Sequence, residues 1–201
     1  MATVYTIGHS TRTLNELVAA LKAHNIRTLV DIRSFPMSRR MPHFNRESLE
    51  LELPKLGIAY VWIKELGGRR KKIRNDSPNT GLRNDSFRNY ADYMLTDEFA
   101  QGVERLVEIA RRTADPSAPF GHGLTSLGMT IEKREVSNTA IMCAERVYFQ
   151  CHRMLVSDYL TAHGHTILHI DDDKRPLREH KLMAEARLVD GQLLYNAQEL
   201  F

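Results

Sequence analysis

The segment MCAERVYFQCHR, residues 142–153, contains both cysteines of the chain. It gathers two thiols, a carboxylate, an imidazole and a guanidinium: Cys143, Cys151, Glu145, His152 and Arg153. A thiol near a cationic group or a helix N-terminus ionises more readily, and the thiolate is the nucleophilic form. The segment therefore predicts a cysteine nucleophile or redox centre, with Cys151 the more reactive thiol and Cys143 more buried and paired with Glu145.

Two other roles for these residues stay open. Free cysteine is among the most buried residue types, so either thiol can serve simply as a small apolar side chain. Cys143, Cys151 and His152, with His9 as a further candidate, also offer thiolate and imidazole ligands to a metal. However, seven residues separate the two cysteines, which is not a standard zinc spacing, and the chain has no C-x2-C pair. The sequence therefore assigns no metal and leaves any cofactor unknown.

The elements that position these residues follow an alternating pattern. Residues 3–7, TVYTI, and 28–33, TLVDIR, are β-branched and apolar runs that predict buried strands. Between them, residues 13–26 have capping-box spacing at Thr13 and Glu16, followed by apolar residues on one helical face. A strand, a helix and a strand within about 30 residues predict a βαβ unit with parallel strands.

The second half of the chain repeats the pattern. Residues 139–143 predict a strand, residues 150–164 a helix with Cys151 in its first turn, and residues 165–170 another strand. Between the halves, the sequence predicts a helix that stops near Pro54, a strand after Gly57 and an amphipathic helix over 96–112. We therefore predict an α/β fold, a compact single domain over 1–201 with a mainly parallel, Rossmann-like sheet flanked by helices.

Three of the predicted strands end in polar residues: His9, Ser10, Asp31, Arg33, Cys143 and Glu145. In an open parallel sheet, ligands bind beyond the carboxyl ends of the strands, where the strand order reverses. We therefore expect these side chains to converge in one pocket, closed by the residues that follow Cys151. The candidate catalytic residues are Cys151, Cys143, Glu145, His9 and Asp31.

Two loops, residues 33–45 and 64–87, add arginines among glycines and prolines. Arginine suits bidentate recognition of phosphate or carboxylate, so the sequence predicts a small phosphorylated, nucleotide-like or carboxylated ligand. The basic run at Lys71, Lys72 and Arg74 is more typical of a solvated face. The candidate ligand-binding residues are Ser10, Arg33, Arg39, Arg40, Arg69, Arg70, Asn79, Arg83, His152 and Arg153.

The alternative function is a nucleic-acid-binding module built on the basic loops 33–45 and 64–83. Nearby aromatic residues offer stacking surfaces for bases: Phe44, Trp62, Phe87, Tyr90 and Tyr93. Against this, the last three have a helical spacing that more often marks core packing. Binding to generic nucleic acid that weakens steeply with salt would favour the module, whereas saturable binding of one small anion would favour the pocket.

The composition is that of an ordinary globular protein, with 42% hydrophobic and 26% charged residues and a formal net charge of +3. No window approaches the about 18 apolar residues of a membrane span, and the N-terminus lacks a signal-peptide pattern. We therefore expect a cytoplasmic protein with reduced thiols and no membrane association. The sequence gives no oligomeric state.

Several long motifs together resemble one family: YTIGHSTRTLNELVAALKAHNIRTLVDIRSFPMSRRMPHFN, LGGRR, SPNTGLRNDSFRNYADYM and MCAERVYFQCHR. They are similar to the prokaryotic family known as domain of unknown function 488, in order from residue 5 to about residue 170. The resemblance implies a compact α/β fold and a polar cluster, but no reaction. The chain departs from the family pattern at an insertion, residues 115–138, with a possible strand or hairpin near 127–136, and at a C-terminal extension from about residue 171.

Overall fold

A six-stranded sheet lies at the centre of the computed structural model, which describes residues 1–115, 137–171 and 176–196. The strands are β1 (Thr3–Gly8), β2 (Ile26–Asp31), β3 (Ala59–Trp62), β4 (Asn138–Cys143), β5 (Thr166–Ile170) and β6 (Arg178–Glu179). They lie in the order β3-β2-β4-β1-β5-β6; the first five are parallel, and β6 is antiparallel to β5. The predicted α/β fold with a mainly parallel sheet is confirmed.

Five helices of the described residues flank the sheet: α1 (Leu14–Ala23), α2 (Arg46–Lys55), α3 (Asp85–Tyr93), α4 (Asp97–Ala114) and α5 (Arg153–Ala162). The predicted capping box is present, because Thr13 and Glu16 exchange side-chain and backbone hydrogen bonds at the start of α1. Helices α1 and α2 pack on one face of the sheet, and α3, α4 and α5 pack on the other. Among these described helices, none is both long and apolar enough to cross a membrane.

Strand β4 shows why the central strands form where they do. Its residues from Thr139 to Cys143 are all buried, as expected for a parallel strand covered by helices on both faces. Ala140 and Met142 belong to the core shared with α1, whereas Ile141 and Cys143 belong to the opposite core. The alternation of strand side chains therefore places Cys143 under α5.

The strand order reverses between β4 and β1. The chain leaves β1 through α1 toward β2, on one side of the pair, and leaves β4 through α5 toward β5, on the other side. The two connecting helices also lie on opposite faces of the sheet. This is the topological switch point at which parallel α/β sheets bind ligands beyond the carboxyl ends of their strands.

The C-terminal extension adds a hairpin, β7 (Ala186–Val189) and β8 (Gln192–Tyr195). The two residues at its turn, Asp190 and Gly191, both have positive φ, as a type I′ turn requires. Gly81 donates its backbone N–H to the Tyr195 carbonyl at 2.8 Å, so the hairpin docks on the loop before α3. The strand or hairpin expected near residues 127–136 lies outside the described residues.

Candidate functional site

The polar residues that end β1, β2 and β4 meet at the same edge of the sheet. Gly8 is the register partner of Cys143, and Asp31 pairs with Met142 on the other side of β4. Beyond the strands, His9 donates its backbone N–H to the Cys143 carbonyl at 2.9 Å, which continues the ladder into the loop. A Cβ at Gly8 would lie only 1.9 Å from the Glu145 carbonyl oxygen, so glycine permits this close approach.

The side chains of Cys143, Cys151 and His152, hereafter the sulfur cluster, contact one another beneath this edge. His152 Nδ1 lies 3.7 Å from Cys143 Sγ and 3.6 Å from Cys151 Sγ. Both thiols are free and buried. Glu145 lies at the exposed rim, where its carboxylate accepts the thiol hydrogen bond of Cys143 at 3.4 Å.

The two sulfurs are in different electrostatic states. The interaction between the two neighbouring thiols lowers the pKa of Cys151 well below its usual value and raises that of Cys143 well above it. Burial opposes the first shift and adds to the second, while the charge of Arg153 further lowers the pKa of Cys151. The arrangement favours one thiolate, on Cys151.

The position of Cys151 differs from the sequence-based expectation. Helix α5 begins at Arg153, so Cys151 lies just before the helix rather than in its first turn. Its backbone is extended, with φ −134° and ψ 149°, and its Sγ accepts the Arg153 backbone N–H at 3.5 Å. His152 is the N-cap residue of α5, and Cys151 precedes it while its sulfur accepts from the first residue of the helix. Cys143 and Cys151 are buried to nearly the same extent, with exposed fractions of 5% and 3%, so burial alone does not distinguish the two thiols.

The orientation of the His152 ring is fixed by the backbone around it. Its Nε2 lies 3.0 Å from the Ile32 carbonyl oxygen, which can only accept, so Nε2 carries the proton and Nδ1 presents a lone pair to the sulfurs. Gly68 packs against the same ring, and a Cβ there would lie 2.3 Å from Nδ1. The Gly67–Gly68 loop therefore covers the sulfur cluster without filling the space beside Nδ1.

The predicted site residues of β1 and β2 form a separate, internally bonded group. Asp31 is fully buried and accepts from the Arg33 guanidinium at 2.5–3.0 Å and from the Tyr60 hydroxyl at 2.7 Å. Arg33 also donates to the Phe44 carbonyl, and its Nη1 lies 3.2 Å from His9 Nε2. Burial, then the Arg33 charge, lowers the pKa of His9 to about 4. Burial and Asp31 raise the pKa of Tyr60.

Arg153, a predicted ligand-binding residue, is fully buried and connects the loop after β4 to the core. Its Nη2 donates to the carbonyl oxygens of Glu145 at 2.6 Å and Arg146 at 3.2 Å. Its Nη1 donates to the Thr6 hydroxyl at 3.3 Å. These bonds position the loop that carries Glu145, so Arg153 supports the site from the protein interior.

Beyond Thr6 lies a second buried polar group, hereafter the histidine network, which the sequence analysis did not identify: Thr6, His169, His180, Asp158 and Tyr195. Thr6 Oγ1 lies 2.7 Å from His169, His169 lies 2.9 Å from His180, and His180 lies 2.8 Å from Asp158. Asp158 also accepts from Tyr195 at 3.1 Å. A histidine within the apolar run TILHI was the one signal of this network in the sequence.

The loop residues do not all reach the strand ends. Asn79 is fully buried, donates to Asp92 at 2.8 Å and accepts the Tyr195 backbone N–H at 2.9 Å, so it holds the hairpin in place. Arg70 donates to three backbone carbonyls and stacks on Tyr93, with its Cζ 3.5 Å from the ring centroid. Ser10, with φ 50°, donates its backbone N–H to the Ala144 carbonyl at the strand ends.

Four candidate arginines are exposed: Arg39, Arg40, Arg69 and Arg83. Arg69 directly follows Gly68, and its backbone N–H donates to Ser34 Oγ at 2.8 Å, which joins the two basic loops. A polar cleft of about 490 Å³ lies elsewhere, between residues 72–80 and α3. Its lining includes none of the residues of the sulfur cluster, so the cleft and the strand-end site are distinct.

The aromatic residues near the basic loops are mostly part of the core. Tyr90 and Tyr93 are buried in α3, and Phe44 is buried and stacks on His9 with ring centroids 4.3 Å apart. Phe87 packs against the same core as Tyr90. Trp62 is half-buried, with the Arg46 guanidinium over its ring. The core interpretation of the helical spacing is confirmed.

One comparison with known proteins finds a relationship. A model of the family described as "Domain of unknown function DUF488" matches residues 13–117. This range contains Asp31, Arg33 and the Gly67–Gly68 loop and ends before β4, whereas the sequence resemblance continues to about residue 170. No curated protein matches the chain, and no solved structure matches it either.

Proposed function

The chain belongs to the DUF488 family, and we propose that it is an enzyme acting on a small phosphorylated, nucleotide-like or carboxylated ligand at the sulfur cluster. The observation that carries this proposal is the convergence of Cys143, Cys151 and His152 at the switch point of the sheet. Perturbed, clustered titratable groups at such a position are typical of active sites.

The sulfur cluster is poorly explained as a stabilising device. Its polar atoms are 3.4–3.7 Å apart, and hydrogen bonds to sulfur are weak. Apolar residues of the same size would fill the positions of Cys143 and Cys151 as well. The surrounding backbone nevertheless holds the ring of His152 in one orientation, between the Ile32 carbonyl and Gly68. Such support of a reactive group is what preorganised sites require.

The residues divide into reacting and positioning groups under this proposal. Cys151 and Cys143 supply the reacting sulfur, and the exposed Glu145 carboxylate beside Cys143 serves as the proton acceptor. Asp31 and His9 act differently, because their polar atoms are already bonded to Arg33. They position the β1 and β2 ends and do not transfer protons.

The anionic part of the ligand is assigned to exposed arginines. The guanidinium groups of Arg33, Arg70 and Arg153 donate to partners within the protein. Arg69 is exposed, follows the glycine that touches His152, and makes no side-chain hydrogen bond or ion pair with the described residues. Its guanidinium therefore suits a phosphate or carboxylate bound at the mouth of the site.

The experiment measures binding of three probes, inorganic phosphate, adenosine monophosphate and succinate, by calorimetry. Arg69→Ala should weaken binding of the preferred probe by about 10- to 100-fold, which corresponds to about 1.5–3 kcal/mol for a charge-assisted contact. Arg105→Ala, which removes an exposed arginine of α4, is the matched control and should bind normally. Equal affinity of both variants, or no saturable binding of any probe, would contradict the proposal.

One observation favours the nucleic-acid alternative: Arg69, Lys71, Lys72 and Arg74 form an exposed basic run. The burial of Tyr90, Tyr93 and Phe44 argues against it, because these rings offer no stacking surface. Titration with a fluorescent single-stranded oligonucleotide at increasing salt separates the two functions. Tight binding that falls steeply with salt, together with no binding of the small probes, would favour the module.

A further inference from the structure

We propose that Cys143, Cys151 and His152 form a binding site for a zinc-class divalent metal ion, with three protein ligands and one open coordination position. The three donor atoms lie within 4.8 Å of one another and come from a strand end and a helix start that are held rigidly by the sheet. Binding of the ion itself does not depend on the proposed enzymatic function.

The spacing of the donor atoms fits tetrahedral zinc. With Zn–S bonds of about 2.3 Å and Zn–N bonds of about 2.0–2.1 Å, adjacent ligand atoms of a tetrahedron lie roughly 3.5–3.8 Å apart. The observed distances from His152 Nδ1 are 3.7 Å to Cys143 Sγ and 3.6 Å to Cys151 Sγ. The side chains therefore need little movement to receive the ion.

The supporting hydrogen bonds are those that metal ligands usually have. A ligating histidine commonly donates its other ring N–H to a carbonyl or carboxylate, which fixes the tautomer. His152 does this through Nε2, to the Ile32 carbonyl, and so leaves the Nδ1 lone pair for the ion. The Arg153 backbone N–H, 3.5 Å from Cys151 Sγ, stabilises the negative charge of a ligating thiolate.

The position of the nitrogen ligand depends on a glycine. A Cβ at Gly68 would lie over the face of the His152 ring, 2.3 Å from Nδ1, 2.5 Å from Cγ and 2.8 Å from Cε1. A side chain at this position would therefore displace the ring that supplies the nitrogen ligand. Gly68 thus has a role that backbone conformation alone does not explain, since its φ is not positive.

The charge and the chemical softness of the three ligands determine which ion the site prefers. Two thiolates neutralise a divalent cation, so the loaded site is electrically neutral, as a buried position requires. Thiolate and imidazole ligands favour zinc over magnesium or calcium, which prefer oxygen. Within residues 1–115, 137–171 and 176–196, no other group of three His, Cys, Asp or Glu side chains brings its donor atoms together in this way, and the Glu145 carboxylate does not belong to the group.

Three protein ligands and an open fourth position are typical of catalytic rather than structural zinc. The open position would take a water molecule or an oxygen atom of the anionic ligand. This last assignment rests on the proposed function, because it requires a substrate at the same edge of the sheet. The metal would then polarise that oxygen, while Glu145 at the rim accepts a proton.

The experiment titrates the reduced, chelator-treated full chain with Co²⁺ and then displaces it with Zn²⁺. We expect one ion per chain, sulfur-to-cobalt charge-transfer absorption and the strong visible bands of a tetrahedral site. Cys143→Ser, Cys151→Ser and His152→Gln should each weaken binding by more than about 100-fold, since loss of an outer-shell partner alone costs 10–100-fold. His163→Gln, at the other end of α5, is the matched control and should bind normally.

A second measurement keeps the proposal testable if a variant fails to fold. In the unaltered protein, Zn²⁺ should protect both thiols from a chromogenic disulfide reagent, and Mg²⁺ should not. Binding well below one ion per chain, unchanged affinity in Cys151→Ser, or thiols that stay equally reactive with Zn²⁺ would each overturn the proposal. Phosphate and adenosine monophosphate binding, measured with and without metal, separates this failure from failure of the proposed enzymatic function.

Discussion

Two buried polar groups lie on either side of Arg153, and they are built in opposite ways. In the histidine network, from Thr6 to Asp158, neighbouring atoms are 2.7–2.9 Å apart, and each donor has an acceptor. In the sulfur cluster, the polar atoms are 3.6–3.7 Å apart, and two sulfurs face one nitrogen lone pair. Arg153 contacts both, through its side chain and its backbone N–H respectively.

Under our proposals, this difference distinguishes a structural polar group from a binding site for a ligand or a metal ion. A buried network in which every donor is matched is complete and stabilises one packing of the core. In the sulfur cluster, two sulfurs and one ring nitrogen converge, and such a set of atoms can bind a thiophilic metal or an electrophilic ligand atom. The histidine network and the sulfur cluster are both buried and polar. They differ in the kinds of atoms that contact one another and in whether each hydrogen-bond donor has a matched acceptor. The following predictions test this distinction.

The largest loss of stability is expected for Asp158→Ala, which removes the carboxylate of the histidine network. Asp158 is fully buried and accepts from His180, from the Met183 backbone N–H and from Tyr195. Removing it leaves these donors unpaired, so the free energy of unfolding should fall by about 3–5 kcal/mol. Urea unfolding followed by circular dichroism measures the loss. Asp76→Ala, at an exposed position, is the control and should change stability by less than about 0.5 kcal/mol.

The histidine network should also destabilise the fold in acid. Burial, with the charges of His180, Arg153 and Arg178, lowers the pKa of His169 from 6.5 to about 3. Between these values the unfolded chain binds a proton that the folded chain does not, so stability is full above pH 6.5 and is lost as the pH falls toward 3. At pH 4 the loss from this group should be on the order of 3 kcal/mol.

His169→Asn tests this slope directly. Urea unfolding at intervals between pH 4 and pH 7 should give a flatter pH dependence in the variant, even if its stability at pH 7 is lower. His9, with its pKa lowered to about 4, should keep part of the slope in both proteins. An identical slope in the variant and the unaltered protein would show that folding does not lower the pKa of His169.

A smaller effect is expected for Gly68→Ala, which crowds the sulfur cluster. The new Cβ would meet His152 Nδ1 at 2.3 Å, so the ring must shift, and overpacking of this kind costs about 1–3 kcal/mol. Cobalt affinity should fall at the same time. Gly81→Ala is the matched control, because its Cβ would crowd the Asn196 backbone at 2.9 Å, away from the cluster. It should lower stability without changing cobalt affinity.

The smallest loss of stability is expected when Cys143 or Cys151 is replaced by Ser. Because the contacts of Cys143 and Cys151 are long, replacing either by Ser in the metal-free protein should lower the free energy of unfolding by at most about 1.5 kcal/mol. The same replacement should abolish tight metal binding. A loss as large as that of Asp158→Ala would make the sulfur cluster a structural element, and the distinction between the two groups would fail.

Much of the fold could be predicted from the sequence, because it follows local patterns. The run TVYTI, the capping box at Thr13 and the apolar strand before Cys143 each indicated their element correctly. The elements beyond residue 171 were not predicted. Strand β6 has only two residues, β7 is largely exposed, and β8 alternates exposed and buried residues over only four positions, which is too short for a clear pattern. The Asp190–Gly191 turn was nevertheless a readable hairpin signal.

The site was predicted in its location but less well in its bonding. The meeting of His9, Asp31 and Cys143 follows from parallel strands, which the pattern indicated. The ion pair between Arg33 and Asp31 was not foreseen. The sequence does not show whether an arginine binds an external anion or a carboxylate of the same protein. We now expect Arg33→Ala to leave a buried charge and to impair folding rather than only binding.

The proximity of the donor atoms of Cys143, Cys151 and His152 could not be read from the spacing of the cysteines. Zinc knuckles place ligands two to four residues apart in one turn. Here the first cysteine ends a strand and the second precedes a helix, and the loop between them is held by Arg153. Their proximity therefore comes from tertiary packing.

The position of β4 between β1 and β2 constrains the order in which the chain can fold. The first two strands do not pair with each other; each pairs with a strand that the ribosome makes more than 100 residues after β1 begins. Contacts between residues this far apart in sequence form slowly, because closing the long loop between them costs conformational entropy before the contacts form. During synthesis, β1 and β2 therefore wait with unpaired edges until β4 inserts between them. The sulfur cluster is completed only after that step, so it does not form in a chain whose synthesis has not yet passed β4.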